Sequence, residues 1–480
     1  MKSKLKKLTS DSFVYGLSNT LGKFIGVFLI PIYTRVFTPS DYGVIDLVQL
    51  SIAVMIILLT LGLDSAIFRF FYDTEDKVEQ KTIVSTIILF AIISGATICL
   101  FGVLFAKQIS LLMFNTSSYY LVIVVGLIQI PVSLVSGFIF RVLRLEFKAK
   151  WYAGVSVFGL IVIIVLTIYL VVFLKTGIIG VFIARIAGEL IQASIGFIVS
   201  RSNYCFSINF NKLLELLKFG IPLVPAGLSQ WSLVYINRYI LLFFTNLDLV
   251  GIYAVGYKVS SIMMIITGAF QLAWSPFAFS ILNDPNVKEI YARVFKYFLI
   301  VTISIAAFMT TYAREIILIV ATPEYLESYS LIGILTVCIA AIGSYYILCI
   351  GSTIEKRTIN ITISLLIGTF FNVLLGFILI PYLGIIGCAL AMLFGYLSAC
   401  IIVYKYSQQC YYIPYDLKST FILTISYTIL YLLSLSFSEI LNPIKIIASL
   451  LFYITIYFCI LDNKEKETIF KTLNKIKIKI

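Results

Sequence analysis

Lys23, Asp46, Arg238 and Lys258 interrupt long apolar stretches of this 480-residue chain. A charge at the centre of a bilayer costs about 2.5–3.5 kcal/mol even on the mildest scale, so such groups face a cavity or a partner. Lys23 falls mid-stretch, too deep to reach the headgroups, while Arg238 and Lys258 fall on consecutive stretches. Three cations against one acid give a cavity an excess of positive charge. Such a cavity suits an anion, and phosphate is the commonest anionic group that lysine and arginine grip. Lys23, Arg238 and Lys258 are therefore read as a substrate-binding cavity. Nothing points to a catalytic residue or a metal site. The chain has no histidine, which excludes histidine-ligated zinc, Ser-His-Asp hydrolysis and histidine proton relays. Its eight cysteines form no CxxC pair and read as small buried hydrophobes.

Other charges carry two readings each. Arg35 either snorkels to the headgroups or gates with Asp46. Arg185 and Glu189 stand at i, i+4, the spacing of a self-satisfied helical pair, with gating or coupling as the alternative. Asp64 and Arg69, at an inner helix end, are either interfacial or part of the path. No cofactor is implied. The driving force is open between H+, Na+ and the membrane potential, with Asp46 and Glu189 as coupling candidates.

The elements that must position these groups follow from composition. Apolar residues make up 61% and charged residues 12%, with mean hydropathy +1.04. This excludes a soluble enzyme and reads as an all-α polytopic membrane protein. Apolar windows predict about fourteen spans: 12–36, 42–65, 83–106, 120–141, 152–174, 177–200, 219–244, 249–274, 297–320, 329–350, 359–381, 385–405, 419–437 and 443–461. Most of the 36 lysines and arginines then fall on one side, whereas the other side holds only Arg35, Lys107, Lys175, Arg314 and Lys445. By the positive-inside rule both termini are cytoplasmic. The net charge of +13 is thus a topology signal and not a nucleic-acid footprint. The basic N-terminus imitates a signal peptide, but its apolar run has no small-residue cleavage site and reads as an uncleaved first span.

A repeat organises the spans. Gly177-Ile178-Ile179-Gly180 and Gly384-Ile385-Ile386-Gly387 are identical and 207 positions apart. Phe37-Thr38 and Phe244-Thr245, Gly188 and Gly395, and Ala106-Lys107 and Ala313-Arg314 share that offset. An offset of six helices is even, so the copies run parallel. The expected organisation is an N-lobe over 1–210, a C-lobe over 211–410, two further helices over 411–462 and a basic cytoplasmic tail over 463–480. Pro131 and the Pro222/Pro225 pair should break or bend their helices, as hinges or as static packing.

Asp41-Tyr42-Gly43-Val44-Ile45-Asp46-Leu47 and Gly251-Ile252-Tyr253-Ala254-Val255-Gly256-Tyr257-Lys258-Val259 resemble the paired motifs of Wzx-type polysaccharide (O-antigen) flippases. Phe219-Gly220-Ile221-Pro222-Leu223-Val224-Pro225 and Asn237-Arg238-Tyr239-Ile240-Leu241 resemble the seventh helix of that family. The family belongs to the multidrug/oligosaccharidyl-lipid/polysaccharide exporter superfamily, and the resemblance runs from about residue 8 to 410. It implies a V-shaped pair of lobes that moves an undecaprenyl-pyrophosphate-linked oligosaccharide across the bacterial inner membrane by alternating access. The glycan would be O-antigen, capsule or exopolysaccharide, and other glycan assembly proteins would be partners. The family often has Asp-Arg where this chain has Asn237-Arg238, which should leave Arg238 less neutralised. Alternatives are a lipid II flippase, a cation-coupled multidrug exporter and a membrane polysaccharide polymerase. The short outer connections oppose the last.

Overall fold

The computed structural model describes residues 16, 26–205, 207–437, 439, 442–462 and 465–466. Lys23 and most of the 463–480 tail lie outside them. Within the described residues the chain is helical, with no strand. The helices are α1 (Gly26–Val36), α2 (Pro39–Asp73), α3 (Lys77–Leu104), α4 (Tyr120–Leu145), α5 (Ala149–Phe173), α6 (Ile178–Val199) and α7 (Phe210–Phe244). They continue with α8 (Leu247–Ser260), α9 (Met263–Ser280), α10 (Val287–Thr311), α11 (Pro323–Ile354), α12 (Thr358–Cys410), α13 (Leu417–Ser436) and α14 (Pro443–Ile460).

Twelve of these are long and apolar enough to cross a membrane. Of the first expected span, residues 12–15 and 17–25 lie outside the described residues; the others map onto these helices, except that 297–320 runs past α10 into a short separate helix at Ala313–Val320 and that two further regions differ. Spans 359–381 and 385–405 lie in the single element α12, which is interrupted only at Gly384 (φ 52, ψ −125). Span 249–274 is divided between α8 and α9. Gly177, the repeat partner of Gly384, has a similar backbone (φ 65, ψ −150). Side chains disfavour that region, so the duplicated glycines mark the same sharp turn in both copies. Pro131 sits inside α4, which stays helical through it. By contrast, α7 tightens to a 3-10 turn at Ile221–Leu223, around Pro222.

Two compact units emerge. Among the described residues, one holds those up to Lys258 together with Thr369–Ala391, and the other holds Val259–Gly368 and those from Met392 on. In the first, α4 packs along α3 and α6, burying Ile83, Ile87, Leu134, Phe138, Val181 and Phe182. In the second, α11 is apolar all round and buried along most of its length, as expected of a helix enclosed by others. Trp274, Phe295, Phe298 and Tyr345 pack together there.

The start of α2 shows how sequence fixes the first unit. Thr38 caps it, accepting from Asp41 N at 3.2 Å, while Asp41 Oδ2 accepts from Thr38 N at 3.3 Å. This reciprocal capping box, with Pro39 in the first turn, fixes where the helix begins. Just inside, Gly43 meets α8. A Cβ on Gly43 would lie 2.4 Å from Leu247 O, and one on Gly251 would lie 1.9 Å from Pro39 O. The two helices cross backbone to backbone, an approach that only glycine permits.

Candidate functional site

Asp46 lies two turns into α2 and projects toward α7. There Arg238 Nη1 stands 3.2 Å from Asp46 Oδ2, with side chains 2% and 10% exposed respectively. The guanidinium also lies over three tyrosine rings, with centroids at 4.5 Å (Tyr257), 5.2 Å (Tyr235) and 5.4 Å (Tyr253). Tyr253 and Tyr257 share a face of α8 at i, i+4, and Tyr235 precedes Arg238 by one turn of α7. Desolvated cation–π contacts contribute about 2 kcal/mol or more, so the arginine is held from both sides. The next residue along α7, Tyr239, donates its Oη to Leu47 O at 3.2 Å and pairs with Ser51 Oγ at 2.8 Å, fixing α7 against α2.

Around this pair lies a cavity of about 370 Å³. Asp46, Gln49, Gln129, Ser133, Arg185 and Glu189 line it, together with Tyr235, Arg238, Tyr257 and Lys258. Glu189 is not within ion-pair distance of Arg185. It accepts from Gln129 Nε2 at 3.0 Å and from Ser133 Oγ, both on α4. The expected i, i+4 pair is therefore replaced by neutral donors across the helix interface, and Arg185 has no ion pair among the described residues. Buried polar atoms without a hydrogen-bond partner collect here: Gln49 Nε2, Gln129 Oε1, Arg185 Nε and Arg238 Nε. Buried polar groups are normally satisfied, so these walls hold spare capacity for a polar ligand or water. Lys258 carries its ammonium beside α1, where a Cβ on Gly26 would be 3.1 Å from Nζ.

Of the residues singled out in the sequence, Asp46, Arg185, Glu189, Arg238 and Lys258 come together, while Lys23 lies outside the described residues. Arg35 does not reach Asp46. Its Nη1 donates to Pro31 O at 2.6 Å, and it lines a separate cavity. Asp64 and Arg69 are also elsewhere: Asp64 Oδ2 is 3.5 Å from Arg141 Nη2, and Arg69 is 3.9 Å from Asp73 and lies over Phe219. The expectation of a less neutralised Arg238 is answered by Asp46. Asn237 points the other way, its Nδ2 donating to Asn372 Oδ1 at 2.7 Å and to Cys388 O at 3.1 Å. Sequence reasoning passed over Gln129, Ser133 and Gln49; the signal was uncharged polar groups placed inside apolar helices.

The chain is similar in fold to several solved transporters. A structure titled lipid II flippase MurJ, inward closed conformation, matches with TM-score 0.74 at 15% identity, covering 93% of this chain and 99% of that one. An inward-facing multidrug resistance MATE family transporter of the MOP superfamily matches with TM-score 0.65 at 16% identity, covering 83% and 97%. An outward-facing one matches with TM-score 0.62 at 16% identity, covering 84% and 95%. No curated protein sequence matches. A family model described as polysaccharide biosynthesis protein matches residues 32–330, more than half of the chain, and the chain belongs to that family.

Proposed function

We propose that the protein is a flippase for an undecaprenyl-pyrophosphate-linked oligosaccharide. It would act in the bacterial inner membrane with both termini cytoplasmic, by alternating access and without catalysis. The supporting observation is the polar cavity within a membrane-spanning helix bundle, lined by Arg185 and Lys258 and by polar atoms that lack protein partners. Arg238 shapes that cavity while paired to Asp46, and Arg185 and Lys258 supply the charge that grips a diphosphate. The lipid tail stays in the bilayer while the head crosses. H+, Na+ or the membrane potential acting on the bound charge supplies the drive; transport in proteoliposomes with and without an imposed potential separates these. Lys23→Ala, Arg185→Ala, Arg238→Ala and Lys258→Ala should each reduce surface glycan. Protein level should be retained in Arg185→Ala and Lys258→Ala. Full glycan display in both of those variants would refute the cationic-cavity reading.

A second reading, lipid II translocation, is favoured by the fold likeness to a lipid II flippase. Rescue of a strain depleted of its own lipid II flippase tests it.

A further inference from the structure

A larger cavity, about 620 Å³, lies in the first unit where α1 and α5 end and α2, α4 and α6 begin. Arg35, Asp41, Lys175, Thr176, Gly177 and Ile178 are among its lining residues. These helix ends belong to the side that the lysine and arginine bias leaves poor in cations. Cations on that side therefore call for a reason. Lys445 has one, an ion pair with Glu315 at 2.6 Å, and Lys107 lies over the Tyr120 ring at 5.6 Å. Arg35 and Lys175 instead converge on one cavity, and neither has an acidic partner within ion-pair distance among the described residues. The one acid in the wall, Asp41, is engaged by Thr38 N at 3.3 Å and Thr38 Oγ1 at 3.0 Å.

The internal repeat supplies a control. Gly384 makes the same turn as Gly177, yet the positions matching Arg35 and Lys175 are Leu242 and Tyr382. The turn therefore forms without cations, and making it does not explain them. The wall also includes the start of α6, a 22-residue helix whose first N–H groups meet no side-chain cap at Gly177. Those donors add to the pull on an anion already set by the two side chains.

We propose that this cavity is a second anion-binding site, taking the phosphate of a lipid-borne head on the side of the membrane opposite the termini. The side assignment rests on the orientation given above; the anion site itself does not. Two lipids carry such a phosphate there, the lipid-linked diphosphate and an anionic glycerophospholipid, whose phosphate, unlike that of phosphatidylcholine, is not balanced by a cation in its own headgroup.

The test is a calorimetric titration of inorganic pyrophosphate into the full chain in phosphatidylcholine nanodiscs. R35A/K175A should bind at least about tenfold more weakly than wild type at this site, while the charge-preserving R35K/K175R should keep most of the affinity. R35A/K175A titrating as wild type does would overturn the proposal. R185A reports on the central cavity separately: if it titrates as wild type while R35A/K175A loses binding, the central reading fails and this one stands. Repeating the titration with a third of the lipid as phosphatidylglycerol identifies the source. A drop in apparent pyrophosphate affinity larger at this site than at the central cavity assigns the pocket to an anionic glycerophospholipid phosphate, and an equal change at both assigns it to the diphosphate. Either result supports the site.

Discussion

Arg238 and Arg185 line one cavity but answer to different tests. Arg238 is 2% exposed and held by Asp46 and three rings, so Asp46→Asn leaves a buried cation uncompensated. The expected cost is about 3–5 kcal/mol, read as a large fall in thermal unfolding temperature in detergent. Replacing both partners, as in D46L/R238M, should recover much of that loss, because the desolvation penalty goes with the charges. Arg185→Ala removes no ion pair and should change stability by less than about 1 kcal/mol while lowering glycan translocation. The charges themselves were legible in the sequence, because each one interrupts an apolar run. Their pairing was not. Asp46 and Arg238 are 192 positions apart, and only the packing of α2 on α7 and α8 decides that Asp46 takes Arg238 and not Arg35. Glu189 likewise followed α4, whose Gln129 and Ser133 outcompete the nearby arginine, a preference invisible in i, i+4 spacing.

At the level of helices, Gly251 and Gly177 make two different kinds of backbone demand. Gly251→Ala places a Cβ 1.9 Å from a carbonyl oxygen of α2, so one helix must move. Overpacking of this kind costs about 1–3 kcal/mol and should lower both unfolding temperature and yield. Gly177→Ala meets open space, and its penalty is the dihedral strain of φ 65 alone, also about 1–3 kcal/mol. Helix positions were legible because twenty apolar residues have few alternatives, and the expected ranges fall on the observed helices. The breaks were less so. Pro131 left α4 helical while Pro222 coincides with a 3-10 turn, because what a proline does depends on how its neighbours satisfy the freed carbonyl.

At the scale of the whole molecule, the second unit closes on an ionic clasp beyond α14. Lys296 Nζ lies 3.1 Å from Glu465 and 3.6 Å from Asp462. Burial pushes the Glu465 carboxyl up, but hydrogen bonds from the Tyr297 hydroxyl and Asp462 N–H, with the Lys296 charge, outweigh it and hold it below its ordinary value. A carboxylate depressed on folding adds stability above its unfolded value of 4.5, and that increment disappears as pH falls through the folded value. Glu465→Gln should thus lower the unfolding temperature at pH 7 and make little difference once wild-type Glu465 is itself protonated. Parallel melts from pH 7 downward check this. The crossing of α2 and α8 at Gly43 and Gly251 has a consequence of another sort. Because it is made by main chain alone, no rotamer change can loosen it. Only a substitution at one of the two glycines would force the rods apart, so their spacing does not depend on which side chains fill the space farther along either one.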